Sequence, residues 1–285
     1  MPVAYLNGDF VPLEDACVPV LDRGFLFGDG VYEVIPAYGR RPFRLGQHLA
    51  RLRDSLAAIG MQPPLDEDRW AEILQNLIDR NPGEDQSLYL QVTRGVAPHR
   101  DHAFPDPVTP TVFAMSSPIP PPDPAVLERG VAAVTLPDIR WQYCHIKAIT
   151  LLPAVLMRQE ARARGAVEAI LVRDGLATEG AASNLFVVRD NVVLTPPKGP
   201  ALLPGITRDL VLELAEKHAV NWREADIPAE WLAGADELWL TSSTREIMPV
   251  TRLDDRPVGD GRPGPLFRTM HRYYQDYKAE LRHTG

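Results

Sequence analysis

The sequence predicts a mixed α+β (α/β) chain of two domains, a smaller one over residues 1–117 and a larger one over 125–285. Three observations carry this. At 285 residues, the chain can hold one large core or two domains, and two is the expected division. Alternating apolar runs of strand length are interspersed with apolar stripes of helical period. The run Pro118-Ile119-Pro120-Pro121-Pro122-Asp123-Pro124 favours a stiff extended path and reads as the linker, 118–124.

Composition narrows the partners. Forty-five per cent hydrophobic and 24% charged residues are the ordinary balance of a globular protein. A net charge of −8 argues against a general nucleic-acid binder, which needs a basic stripe to displace counterions. Local arginines can still receive an anionic substrate. Cys17 and Cys144 make neither a disulfide framework nor a metal-ligand spacing, so a reduced, cytoplasmic setting is the default. No leader pattern opens the chain, and no run approaches the ~20 apolar residues of a membrane span.

The elements follow in order. Asn7-Gly8, flanked by Val3, Tyr5, Phe10 and Val11, predicts a hairpin over 3–13. Gly24, Gly28 and Gly30 lack the dinucleotide-binding spacing; residues 31–37 read as a strand, so Gly28 and Gly30 serve a tight turn. Residues 47–59 predict a helix with Leu49, Leu52, Leu56 and Ile59 on one stripe, and a second helix spans 66–79. Strands are predicted at 87–93 and 111–116. The second half begins with a strand at 131–136. A helix that Pro153 can open ends at a Gly165 cap. Strands at 167–172, 185–188 and 192–195 turn at Asp174-Gly175 and Asp190-Asn191. A helix over 208–219 takes Thr207 as N-cap. A strand at 237–240 and a helix at 265–281 complete the chain.

Several polar residues stand out, each with a bland reading beside a sharp one. Lys147 lies among apolar residues, His145-Ile146-Lys147-Ala148-Ile149. Its stem can pack while the ammonium reaches water, or the amine can be held neutral to condense with a carbonyl. Arg51 sits about 120° from the middle of its helix stripe, off the core, and is a solvated arginine or an anion ligand. Tyr32 faces a cleft or the core. The loop with Arg94, His99, Arg100 and His102 is a polar loop or a carboxylate grip; its arginines argue against a metal. Glu179 stands among small residues. Gly205-Ile206-Thr207 exposes amides at a helix start, where an anion can sit, and Thr241-Ser242-Ser243-Thr244 is a phosphate cluster or a turn. An amine for an aldehyde, a carboxylate for a protonated ring nitrogen, and several phosphate donors together match the three handles of pyridoxal 5′-phosphate.

The motifs carry a resemblance almost end to end. Asp22-Arg23-Gly24, Phe27-Gly28-Asp29-Gly30-Val31-Tyr32-Glu33, His48 with Arg51, Ile146-Lys147, Thr178-Glu179-Gly180 with Ser183-Asn184, Gly205-Ile206-Thr207-Arg208 and Thr241-Ser242-Ser243-Thr244 with Glu246-Ile247 resemble the fold-type IV (class IV) pyridoxal-phosphate aminotransferases. The resemblance implies the two-domain fold of that family, with the catalytic lysine, Lys147, in the second domain as Schiff-base lysine and proton shuttle. It implies Glu179 on the pyridine nitrogen, and Arg51, Ser183, the Ile206 and Thr207 amides, Ser242 and Ser243 around the cofactor. Gln91-Val92-Thr93-Arg94-Gly95, then Arg100, His102 and Phe104-Pro105, resemble the D-amino-acid branch. There Arg100, His102 and Tyr32 would hold the substrate α-carboxylate, the first two coming from the neighbouring subunit of a homodimer. The expected reaction moves an amino group from a D-amino acid to a 2-oxo acid in a ping-pong cycle. A branched-chain L-amino-acid aminotransferase and an aminodeoxychorismate lyase are the alternatives within the fold. The loop carries one extra residue near His99, and Pro36 and His145 depart from the branch pattern.

Overall fold

The structure, a computed structural model, describes residues 1–283. Thr284 and Gly285, the end of the expected second domain, lie outside the described residues. The chain forms two compact units: 1–120 with 146–151 and 281–283, and 121–145 with 152–280. The division falls within the proline run.

The first unit is built on a six-stranded sheet. Its strands are β1 (Val3–Leu6), β2 (Asp9–Pro12), β3 (Gly30–Tyr38), β4 (Arg41–Pro42), β5 (Gln86–Thr93) and β6 (Thr111–Pro118), with helices α1 (Arg23–Phe27), α2 (Leu45–Ala58) and α3 (Glu67–Arg80). The strand order is β2-β1-β6-β5-β3-β4. The Asn7-Gly8 turn joins β1 to β2, with Asn7 at φ 49°. Asp66 caps α3 by accepting from Arg69 N, and Trp70, Ile73, Leu74, Leu77 and Ile78 form its buried face. They join Leu49, Leu52 and Leu56 of α2, with Val31, Ile35, Leu88 and Leu90 from the sheet, in one core. Each such side chain contributes roughly 1.5–3 kcal/mol on burial.

The segment Ile146–Leu151 groups with this first unit, so Lys147 is held there and not within the second-half scaffold. The reason is backbone pairing along the free edge of β3. Tyr32 N donates to Lys147 O at 2.9 Å and Ile149 N to Gly30 O at 3.1 Å, bracketing an antiparallel bridge between Val31 and Ala148. That approach needs small residues. A Cβ on Gly30 would lie 3.1 Å from Ile149 Cδ1 as well as 2.6 Å from Val92 O of the neighbouring strand β5, and one on Gly28, whose φ is +67°, would lie 2.6 Å from Thr150 Cγ2. The two glycines serve this close packing as well as the turn after α1.

The second unit holds α4 (Pro124–Arg129), β7 (Val131–Pro137), α5 (Leu152–Ala163), β8 (Glu168–Arg173), β9 (Leu176–Gly180), β10 (Asn184–Arg189), β11 (Val192–Thr195) and α6 (Ile206–Lys217). It continues with β12 (Trp222–Glu224), β13 (Ile227–Pro228), β14 (Glu237–Ser242), β15 (Glu246–Leu253), β16 (Arg256–Pro257) and α7 (Pro265–His283). Its ten-stranded sheet runs β12-β11-β10-β14-β15-β7-β8-β9-β13, with β16 beside β15. β7 and β8 are parallel, as their connection through α5 requires. Met157 and Ala161 of α5 pack on Val134, Leu136, Ala169 and Leu171. Among the described residues no helix is long and apolar enough to cross a membrane.

Candidate functional site

In the first unit, Tyr32 and Lys147 come together because their segments are paired. Lys147 Nζ lies 4.2 Å from the centre of the Tyr32 ring, and Lys147 N donates to Ser55 Oγ at 3.2 Å. Lys147 is half-buried, with an aromatic face beside its amine.

Arg51 is not the off-core arginine that its helix position predicts. It is 7% exposed and buried. The cause is Glu33, which strand alternation puts on the same face as Val31 and Ile35. Arg51 Nε donates to Glu33 Oε1 at 2.7 Å and Nη2 to Oε2 at 2.8 Å, while His48 Nδ1 lies 2.8 Å from Oε2. A carboxylate only accepts, so His48 bears its proton on Nδ1. Burial alone would raise the Glu33 carboxyl, but Arg51 and then His48 hold it well below the usual carboxylate range. Burial lowers His48 despite Glu33. The Arg51 charge beside it adds to this lowering. His48, Arg51 and Ser55 thus form a second buried stripe on α2 at i, i+3 and i+7 spacing. Its partners lie on other segments, which hydrophobic periodicity does not register.

In the second unit, Glu179 is buried on β9. Arg140 Nη1 donates to its Oε1. Asn184 Nδ2 and Leu203 N each donate to its Oε2 at 3.1 Å. Burial pushes its carboxyl up to about 7, against the pull of Arg140 and the Leu203 amide. Arg140 is itself shared: Nε and Nη2 donate to Asp138 at 2.9 Å, and Arg173 meets the same Asp138 at 2.9 Å. Burial would lower the Arg140 guanidinium, but Asp138 and Glu179 raise it above its ordinary value. Arg140 and Asn184 are not among the candidate site residues that the sequence singles out. Their one sequence signal is the Asp138-Ile139-Arg140-Trp141 and Ser183-Asn184 spelling itself.

The anion-binding candidates of this unit are placed as follows. Gly205, not Thr207, is the N-cap of α6, and it makes no side-chain cap hydrogen bond. Ile206 and Thr207 open the helix and are both buried, so their amides belong to the first turn, which lacks intrahelical acceptors. The expected capping role of Thr207 is therefore corrected: its residue already lies inside the helix, which Ile206 begins. Ser242 closes β14 and Ser243 follows in the turn, both half-buried. Ser183 Oγ donates to Glu168 Oε2 at 3.4 Å.

Arg100 and His102 lie in loop 94–110 of the first unit and face one ring. Arg100 Cζ is 5.0 Å from the centre of Phe27, and the His102 ring is 5.3 Å from it.

The donor and acceptor sets fit pyridoxal 5′-phosphate. Lys147 offers an amine. Glu179 is a buried carboxylate already held by two neutral N–H groups and poised near neutrality, suited to sharing the proton of a pyridine nitrogen. Amides at the start of α6 and two hydroxyls at the end of β14 and in the turn after it suit a phosphate.

Comparison with known proteins identifies the family. The family model described as amino-transferase class IV matches residues 30–253. The D-alanine aminotransferase of Bacillus licheniformis is 43% identical over 270 residues, covering 95% of each chain. That of Staphylococcus epidermidis is 37% identical, covering 97% of this chain and 98% of its own. Among solved structures, the branched-chain amino acid aminotransferase of Escherichia coli aligns with a TM-score of 0.90 at 29% identity, over 96% of this chain and 94% of that one. The T.th. branched-chain amino acid aminotransferase, solved with pyridoxamine 5′-phosphate, aligns with a TM-score of 0.90 at 26% identity, over 97% of this chain and 94% of that one.

Proposed function

The chain belongs to the class IV aminotransferases, which use pyridoxal 5′-phosphate, and from that premise we propose that it moves the amino group of a D-amino acid, D-alanine-like in size, to a 2-oxo acid such as 2-oxoglutarate. The observation that carries this reading is the joint presentation of Arg100 and His102 beside Phe27. A cation and an imidazole two residues apart form a grip for an α-carboxylate. The likeness to D-alanine aminotransferases over nearly the whole chain supports it.

Bound, the cofactor supplies an aldehyde for amines and a ring that takes up carbanion charge. Lys147 Nζ is the amine that holds it. The same nitrogen would take the proton from the substrate α-carbon. Glu179 would accept the N–H of the protonated ring nitrogen. Arg51, the Ile206 and Thr207 amides, Ser242 and Ser243 hold the phosphate, with Ser183 among the residues around the cofactor. Tyr32, Arg100 and His102 orient the α-carboxylate.

The working form is a homodimer whose partner supplies Arg100 and His102 to each site, in a cytoplasmic setting. Two exposed apolar surfaces support a partner chain. Leu152, Val155 and Leu156 share one face of α5 at 67%, 57% and 54% exposure, and Val20 and Phe25 are 70% and 75% exposed. Such residues are ordinarily covered in oligomers.

The likeness to solved branched-chain enzymes keeps L-leucine transamination as the second reading. Mixing the cofactor-loaded protein with D-alanine or L-leucine, without acceptor, separates the two. The expected result is conversion of the bound cofactor to its amine form by D-alanine alone; conversion by L-leucine alone moves the protein to the branched-chain reading. Lys147→Ala is expected to abolish both the conversion and steady turnover, and retention of turnover would remove the lysine from its role.

A further inference from the structure

Loop 94–110 carries Arg100 and His102, has no helix or strand of its own, and is of a length that is costly to order. Two adjacent residues hold it. Asp22 ties its base: Thr93 Oγ1 donates to Asp22 Oδ2 at 3.0 Å and Thr111 Oγ1 to the same oxygen at 2.7 Å. These threonines end β5 and begin β6, so one carboxylate closes the mouth of the loop.

Arg23 ties the tip. Its Nη1 donates to Asp101 O at 2.6 Å and Ala103 O at 3.1 Å, and its Nη2 to His102 O at 3.2 Å. Its Nε donates to Asp29 Oδ2 at 2.8 Å, a carboxylate it shares with Arg94. Arg23 is 3% exposed. A buried guanidinium whose fork serves three successive carbonyls dictates the backbone path there, because no other side chain carries five donors in a fixed plane. Phe27, one turn along α1, is the ring on which Arg100 and His102 both rest. Arg94 closes the far side, with its Cζ 3.5 Å from the centre of Phe104 and its Nε on Asp29 at 2.9 Å.

We propose that Arg23 is the positioning residue for substrate-carboxylate recognition: its three hydrogen bonds to residues 101–103 set the loop so that Arg100 and His102 are presented together. This rests on the reading that those two side chains hold the α-carboxylate. Arg23 touches neither substrate nor cofactor in this role. It acts on the α-carboxylate site of the donor and of the 2-oxo acid acceptor alike.

The test uses the cofactor-loaded protein and four variants, Arg23→Gln, Arg23→Lys, Arg100→Gln and the double Arg23→Gln/Arg100→Gln. Hydrogen exchange of amides 99–104 and KM for D-alanine and 2-oxoglutarate are read separately. Arg23→Gln is expected to speed exchange in that segment and to raise both KM values about tenfold, the effect of a lost charged hydrogen bond, with kcat and bound cofactor retained. Arg23→Lys, which keeps the charge beside Asp29 but not the fork, falls between. The double variant is expected to raise KM by less than the product of the two single effects, because Arg23 acts through the loop on Arg100 and His102 alike. Unchanged exchange in Arg23→Gln, or KM effects that multiply in the double variant, would overturn the proposal. An unchanged KM in Arg100→Gln overturns the carboxylate reading itself, and the exchange data then still report whether Arg23 orders the loop. If Arg23→Gln does not fold, Phe27→Leu tests the same link, with raised KM at constant kcat expected and a lowered kcat alone contradicting it.

Discussion

Glu33 and Glu179 are both buried carboxylates with an arginine partner, yet they are driven in opposite directions. Glu33 receives two parallel bonds from Arg51 and a third from His48, and it stays ionised far below the usual range. Glu179 receives one N–H from Arg140, whose other nitrogens serve Asp138, and burial prevails, raising it to about 7. Burial alone therefore does not decide a carboxylate's state; the division of its arginine does. A bidentate arginine makes Glu33 a fixed structural charge that orients Arg51. A shared arginine leaves Glu179 able to take or release a proton.

The largest effect that would break this contrast comes from Glu33→Gln. Removing the carboxylate of a buried ion pair takes this counter-charge from Arg51 and is expected to lower stability by about 3–5 kcal/mol, seen as a fall in the denaturation midpoint. A loss under about 1 kcal/mol would mean that Arg51 finds other compensation. Next, Glu179→Gln is expected to reduce kcat by about 100–1000-fold, on the scale of losing one preorganised charged contact to the reacting system, while the cofactor stays attached at Lys147. A kcat within a few-fold of wild type would remove Glu179 from the ring nitrogen.

The smallest effect concerns pH, and its sign differs for the two groups. Glu33 has a depressed folded value, so its contribution is present above the ordinary carboxylate range and is lost as pH falls toward that folded value. Glu179 has a raised one, so its contribution is present below about pH 4 and is lost as pH rises through about 7. Melting of cofactor-free wild type and Glu179→Gln from about pH 5 to about pH 8 should show wild type losing ground as pH rises. A constant difference would place the Glu179 carboxyl in the ordinary range.

Much of the fold was legible because its determinants are local. Alternation and helical stripes marked the strands and helices, and Asn7-Gly8 and Asp174-Gly175 marked their turns. The motif spelling sufficed for the family, since the order of the lysine, glutamate, glycine-threonine and serine stretches is itself the signature. What local pattern missed was polar burial. Arg51 read as off-core because a helix wheel counts apolar neighbours on its own helix. Its burial comes from a carboxylate 18 positions earlier.

The sequence by itself therefore determined many of the longer elements, the family and its cofactor chemistry, since each is set by residue identity and short spacing, while α1, α4, β9 and β15 carried no such local signal. Only the tertiary structure decided that Lys147 lies along the edge of β3, that Arg140 divides itself between Asp138 and Glu179, and that Arg23 reaches the tip of a loop 78–80 positions away. These are pairings between distant segments. They depend on which donors and acceptors remain to be satisfied once the backbone has folded, and a buried polar group must find its partner wherever the fold brings one.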